Sequence, residues 1–137
     1  MFDRIVLAID GSEHSDRAAS LASELAKHHS SDVLVFHVRE KAAVRFGSYD
    51  VDLDEAEQDI ADETARKLKD QGISARPERV TDFYGNTAKR VARAAEEYDA
   101  NVIVMGSRGL SDMGGLFLGS VAHKVLHAAP CPVLIVS

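Results

Sequence analysis

A single cysteine, Cys131, leaves no partner for an intrachain disulfide, and 137 residues are enough to fold without one. A domain of this size buries about two-thirds of the surface that its unfolded chain exposes. No apolar run approaches the roughly 20 residues that a helix needs to cross a bilayer, and no apolar leader follows Met1. These absences set the expectation of a soluble protein in the reducing cytoplasm. A stripe of lysine and arginine is also lacking. With 16 basic against 22 acidic residues the formal net charge is -6, which repels a polyphosphate backbone and argues against a nucleic-acid partner. No internal repeat, low-complexity tract or composition shift divides the chain, so residues 1–137 are expected to form one domain.

What is present alternates between two periods. Arg4 to Ile9 is a continuous aliphatic run, the pattern of a strand buried on both faces of a parallel sheet. From Ser12, a residue suited to an N-cap, Ala18, Leu21, Ala22 and Leu25 recur at helical spacing as far as His29. Val33 to Val38 reads as a second buried strand. Residues 39–51 lack periodicity, and a second helix is expected from Asp52, which precedes Glu55 by three positions, to a C-cap at Gly72. A polar strand around Ser74 to Val80 carries Pro77, which cannot donate to a central ladder and therefore belongs at a sheet edge. Asn86 is placed to cap a third helix with Ala88, Val91, Ala92 and Ala95 inward. Asn101 to Met105 makes a fourth strand, Ser120 opens a fourth helix that Pro130 stops, and Val133 to Val136 is the last strand.

Strict alternation of this kind predicts a single-domain, doubly wound α/β fold of Rossmann-like type. Five parallel strands lie in the order 3-2-1-4-5, with helices on both faces. Ligands of such sheets bind where the strand order reverses, at the carboxyl ends of strands one and four. Those ends are Asp10-Gly11-Ser12 and Met105-Gly106-Ser107.

The segment from Gly106 to Ser120 reads GSRGLSDMGGLFLGS, with glycines at 106, 109 and 119 followed by Ser120 at a helix start. Glycine permits close backbone approach and positive φ, so that successive N–H groups can converge on phosphate oxygens. The first amides of the fourth helix, at Gly119, Ser120 and Val121, add an anion site. Ser107, Ser120 and Arg108 can supplement these contacts. Read singly, Gly106 and Gly109 are a tight turn, Gly114 and Gly115 a loop, and Ser120 a structural cap. Two familiar phosphate motifs are absent: Ser120 stands where a Walker A loop needs lysine, and no G-x-G-x-x-G follows the first strand.

The sequence closely resembles the universal stress protein family over essentially its whole length. The resemblance is carried by RIVLAIDGS, the strand ending FHV, NVIVMGSRGLS and the closing GSVAHKVLHAAPCPVLIVS. Its most specific feature is the pattern G-x2-G-x9-G-[ST], fulfilled by Gly106, Gly109, Gly119 and Ser120. The resemblance implies binding of ATP, or of ADP or AMP, with Mg²⁺ accompanying the phosphates. It implies that Asp10 lies near the ribose, that main-chain groups around Val38 meet the adenine, and that Met105 and Val121 flank the phosphate loop. From the residues alone, Asp10 could equally cap a turn.

Other residues invite chemistry without supporting it. His123 and His127 stand four apart, but Lys124 occupies the position where a His-Glu-x-x-His metal helix needs glutamate. His28 and His29 read as the end of a helix. Cys131, between Pro130 and Pro132, has no recognisable base and reads as packing. The acidic stretch from Asp50 to Asp62 reads as the solvent face of the second helix. The leading functional reading is therefore an ATP-binding regulatory or stress-response protein with little or no turnover, since no residue is evident to orient a nucleophile. A nucleotide-independent interaction module and a slow ATP-hydrolysing enzyme are the alternatives. The relative with an S-G-G-x-D-S pyrophosphatase loop is disfavoured, because no such loop follows the first strand. The apolar last strand would leave an open sheet edge. Universal stress proteins commonly pair that edge antiparallel, so a homodimer through it is expected, with an unidentified protein partner also open.

Overall fold

The computed structural model describes residues 1–41, 43–44, 47–48, 59–109 and 118–137. In chain order the elements are β1 (Arg4–Ala8), α1 (Glu13–His29), β2 (Asp32–Lys41), β3 (Ala43–Val44), β4 (Gly47–Ser48), α2 (Ile60–Asp70), β5 (Ser74–Phe83), α3 (Thr87–Tyr98), β6 (Val102–Gly106), α4 (Ser120–Ala128) and β7 (Val133–Val136). Five strands form one sheet in the order β5-β2-β1-β6-β7, all pairs parallel. This is the expected 3-2-1-4-5 order, with its reversal between β1 and β6.

The central strands are apolar through their buried middles because each face of the sheet has its own core. Ile5, Leu7, Val33, Val35, Val102 and Val104 point to one side, where they meet Ala18, Ala22 and Ala26 of α1 and Ala61, Ala65 and Leu68 of α2. Val6, Leu34, Phe36, Ile103 and Met105 point to the other, against Ala88, Val91 and Ala95 of α3 and Ala122 and Val125 of α4. The alternation follows from the two-residue repeat of a strand. The many alanines on the helices let these approach the sheet closely.

One edge follows from composition. Pro77 lies on the edge strand β5 opposite Val35, where its missing N–H costs no ladder bond on the open side. The ladder between β2 and β5 runs past the expected ends at Val38 and Val80 to pair Lys41 with Phe83. This extension is polar and at the tip, where no burial pattern marks it in the sequence. In the stretch whose sequence lacks periodicity, β3 and β4 form a two-stranded antiparallel ribbon. Strands of two residues are too short to display a period.

Helix termini largely obey local chemistry. The Ser12 hydroxyl accepts from the Ser15 amide at 3.2 Å, as its N-cap position requires. After α2, Gly72 adopts φ +83. The Ile73 amide then reaches the Leu68 carbonyl at 3.0 Å and the Gly72 amide reaches Lys69 at 2.9 Å. This is a Schellman stop. The start expected at Asp52, with Glu55, lies outside the described residues; the helix is described from Ile60, with Asp59 at its N-cap. Two expected caps differ. Asn86 occupies the N-cap of α3 but makes no side-chain cap bond. Its amide nitrogen instead donates to Asp82 Oδ1 at 3.0 Å. Gly119, not Ser120, is the N-cap of α4, and Ser120 is the first helical residue.

Candidate functional site

At the strand-order reversal the carboxyl ends of β1, β2 and β6 and the N-termini of α3 and α4 surround a cleft of about 180 Å³. Its floor is apolar, formed by Ala8, Phe36, Val38, Val91, Met105, Val121 and Ala122. Polar groups stand around the rim: Asp10, Ser15, His37, Glu40, Thr87, Ser107 and Arg108, with Gly106, Gly109 and Gly119 between them. An apolar body with a few converging polar groups is the usual build of a small-molecule site.

Each wall has a local cause. After β1 the chain turns at Gly11, with φ +86, and the Ser12 amide donates to Asp10 Oδ1 at 2.9 Å. Asp10 therefore does cap a turn, while still lining the cleft. Its other oxygen faces Gly109: a Cβ there would lie 2.3 Å from Asp10 Oδ2, so a larger residue would push the carboxylate aside. Gly106 is pressed as closely against α1, where an added Cβ would come 2.7 Å from the His14 Cβ and 2.8 Å from the His14 carbonyl carbon. Neither glycine is among those with positive φ, and Gly119 has φ -66. Gly106 and Gly109 thus serve close approach, not left-handed geometry.

The two ends of the glycine pattern meet. Ser107 is buried; its amide donates to the Val136 carbonyl at 2.8 Å, and its carbonyl accepts from the Gly119 amide at 2.6 Å. The Gly119 N–H is consequently engaged within the protein. The amides at the start of α4 without an intrahelical acceptor are those of Ser120, Val121 and Ala122. Ser120 is exposed and is not among the cleft-lining residues, unlike Asp10, Val38, Met105, Gly106, Arg108, Gly109, Gly119 and Val121. Gly114 and Gly115 lie outside the described residues.

On the β2 side the Thr87 hydroxyl donates to Glu40 Oε1, tying the tip of that strand to the start of α3. The same helix start is braced by Asp82. Its Oδ1 accepts from the Asn86 side-chain amide at 3.0 Å and the Phe83 amide at 2.7 Å, and its Oδ2 from Arg90 Nε at 2.7 Å. The Asn86 bond, then the Arg90 and Phe83 bonds, hold this carboxyl down to about 2 from an ordinary 3.8. His37 is buried with Nδ1 2.8 Å from the Ile9 carbonyl. A carbonyl only accepts, so Nδ1 carries the proton.

His37, Glu40, Thr87, Ser15 and Ala122 line the cleft without a signal in the sequence motifs. His37 lies within the expected strand ending at Val38 and Glu40 lies two residues past its end, so extending that strand is the one step that would have exposed Glu40. Arg108 Nη2 lies 3.4 Å from His14 Nε2. Away from the cleft, the His123 and His127 rings touch edge to face with centroids 4.8 Å apart. No group of three or more His, Cys, Asp or Glu able to hold a metal occurs among the described residues. Cys131 is half-buried against the α3–α4 side of the core, and burial pushes its thiol up from the ordinary value. No helix among the described residues is long and apolar enough to cross a membrane.

The model of the universal stress protein family matches residues 1–137. A universal stress protein of Thermus aquaticus is 38% identical over 139 residues, covering 99% of each chain. Among solved structures, a universal stress protein of Archaeoglobus fulgidus superposes with a TM-score of 0.79 at 25% identity, covering 100% of both chains. Another from that organism, solved in complex with dAMP, has a TM-score of 0.74 at 22% identity, with 100% and 98% covered. A universal stress protein in complex with cAMP gives 0.68 at 22% identity, covering 98% and 96%.

Proposed function

The chain belongs to the universal stress protein family, and on that premise we propose that residues 1–137 act as one adenine-nucleotide-binding domain of a regulatory, stress-response protein in the cytoplasm. One observation carries the reading. Gly119, ten positions after Gly109 in the sequence, is held beside the end of β6, where its amide bonds the Ser107 carbonyl. The glycine-flanked end of β6 and the N-terminus of α4 therefore face the same cleft, one supplying close backbone and the other free amides and a positive dipole end.

ATP is the expected ligand, with ADP or AMP as alternatives and Mg²⁺ arriving on the phosphates. Adenine lies over the apolar floor beside the main chain at Val38, and the ribose lies near Asp10. The phosphates lie along Gly106, Arg108 and Gly109 and against the amides of Ser120 and Val121, between Met105 and Val121. Each hydrogen bond to a charged phosphate contributes roughly 1.5–3 kcal/mol, so a few amides outweigh the helix dipole, worth about 0.3–1 kcal/mol. The relatives bound to dAMP and cAMP support an adenine ligand. Turnover forms no part of the proposal. The chain is further proposed to dimerise through β7, whose four residues are half-buried at an open sheet edge.

Thermal unfolding with ATP, ADP, AMP, cAMP and GTP tests the reading. At 100 times its dissociation constant a ligand stabilises by roughly 2.7 kcal/mol. For 137 residues that raises Tm by about 9 °C at an unfolding entropy of roughly 2.1 cal/mol/K per residue. Adenine nucleotides should give this shift and GTP should not. No shift with any of them would instead favour the nucleotide-independent interaction module.

A further inference from the structure

We propose that His14 is a positioning residue for Arg108, and that this pair makes the cleft selective for phosphate-bearing nucleotides over nucleosides. The inference rests on the adenine-nucleotide reading and adds to it a residue outside the glycine pattern and outside the cleft lining.

Arg108 follows a main chain held from two sides, since the Ser107 amide bonds Val136 of β7 and the Ser107 carbonyl bonds Gly119 at the start of α4. Its backbone is fixed; its long side chain is not fixed by that alone. An arginine free to sample its rotamers gives up that freedom when it grips an anion, and this loss weakens binding. The first turn of α1 removes much of the freedom beforehand. His14 packs so closely on Gly106 that no Cβ fits between them, which places its half-buried ring beside the segment carrying Arg108. From there Nε2 lies 3.4 Å from Arg108 Nη2.

The chemistry of the partner matters as much as the distance. A guanidinium has donors only, so Nε2 must offer a lone pair, and the imidazole in this contact is neutral with its proton on Nδ1. A carboxylate in that place would orient the arginine equally well but would also cancel its charge. A neutral acceptor orients the guanidinium while leaving the whole positive charge, and its other N–H groups, for an incoming anion. Arg17, one turn along α1, is paired with Glu13 at 3.7 Å and exposed. Arg108 lines the cleft and His14 does not, so His14 acts on the ligand through Arg108. Its effect should appear on the phosphate end and be absent on adenine and ribose.

The test is calorimetric binding of ATP and of adenosine to the wild-type chain, His14→Ala, His14→Gln, Arg108→Ala and the His14→Ala/Arg108→Ala double variant. Alanine keeps the Cβ that touches Gly106, and glutamine restores an acceptor oxygen at similar reach. His14→Ala should weaken ATP by about tenfold, the upper range for immobilising one long side chain, and leave adenosine within about twofold. His14→Gln should recover most of the loss, and the double variant should bind ATP no more weakly than Arg108→Ala alone. Equal loss of ATP and adenosine, unchanged ATP binding, or additive losses in the double variant would each overturn the assignment. A wild-type chain that binds neither ligand would overturn the nucleotide reading itself, an outcome distinct from a wild type that binds while His14 proves indifferent.

Discussion

Replacing Gly106 by alanine isolates one contact of the fold, between the end of β6 and the first turn of α1. The backbone of Gly106 is not left-handed, so alanine meets no conformational penalty there. By itself such a change would stabilise the chain by about 0.4–1 kcal/mol through the unfolded state. The added methyl, however, would sit 2.7 Å from the His14 Cβ, 2.8 Å from its carbonyl carbon and 3.0 Å from the Ser15 amide nitrogen. Carbon contacts are optimal near 3.5–4.0 Å, so α1 must retreat by roughly 0.8 Å. These are backbone or backbone-proximal atoms of a helix packed on the sheet, and no side-chain rotation relieves them. Overpacking of this kind costs about 1–3 kcal/mol. At about 2.1 cal/mol/K per residue over 137 residues the corresponding fall in Tm is roughly 3–10 °C. Urea unfolding of Gly106→Ala beside Gly85→Ala provides the measurement and its control, because Gly85 has φ +96 and nothing within 4 Å of an added Cβ. The control loses stability through backbone conformation alone and should bind nucleotide normally, whereas Gly106→Ala should lose both. A Gly106→Ala chain at least as stable as wild type would refute the account of this contact.

Two other substitutions probe the supports of the cleft. Asp82, held to about 2 from 3.8, has a depressed folded-state value, so its contribution is complete above the unfolded value and is lost as pH falls from about 3.8 to about 2. The stability gap between wild type and Asp82→Asn should therefore be largest near neutral pH and close over that acid window; a gap independent of pH would show that the charge is irrelevant. Ile103, fully buried between β6 and the α3–α4 layer, should lose about 2–5 kcal/mol on truncation to alanine, read as a lower urea midpoint at unchanged slope, and a loss well under 1 kcal/mol would mean that this layer collapses around the void.

The architecture was legible in the sequence because parallel, doubly covered strands such as Arg4–Ala8 and Val102–Gly106 must be apolar on both faces, while each helix shows its buried stripe at a 3.6-residue period. Pro77 marked an edge for the equally local reason that it lacks an N–H. The place of the cleft followed from strand order, and most of the residues expected there do line it. Local pattern failed where a competing partner lay close in space. Asn86 has the composition of a cap, yet its amide goes to Asp82. The Gly119 amide, free by helix rules, is taken by Ser107, and Ser120 faces solvent at the first helical position.

Periodicity and turn chemistry along this chain therefore determined which segments became strands and helices, in what order they joined, and which glycines stood at the mouth of the sheet. Only tertiary structure decided which amides remained available, that Glu40 and Thr87 would meet across 47 positions, and that His14 would face Arg108 across 94. Local patterns record the preferences of neighbouring residues, whereas a hydrogen bond between distant ones exists only after packing has set the two backbones a few ångströms apart.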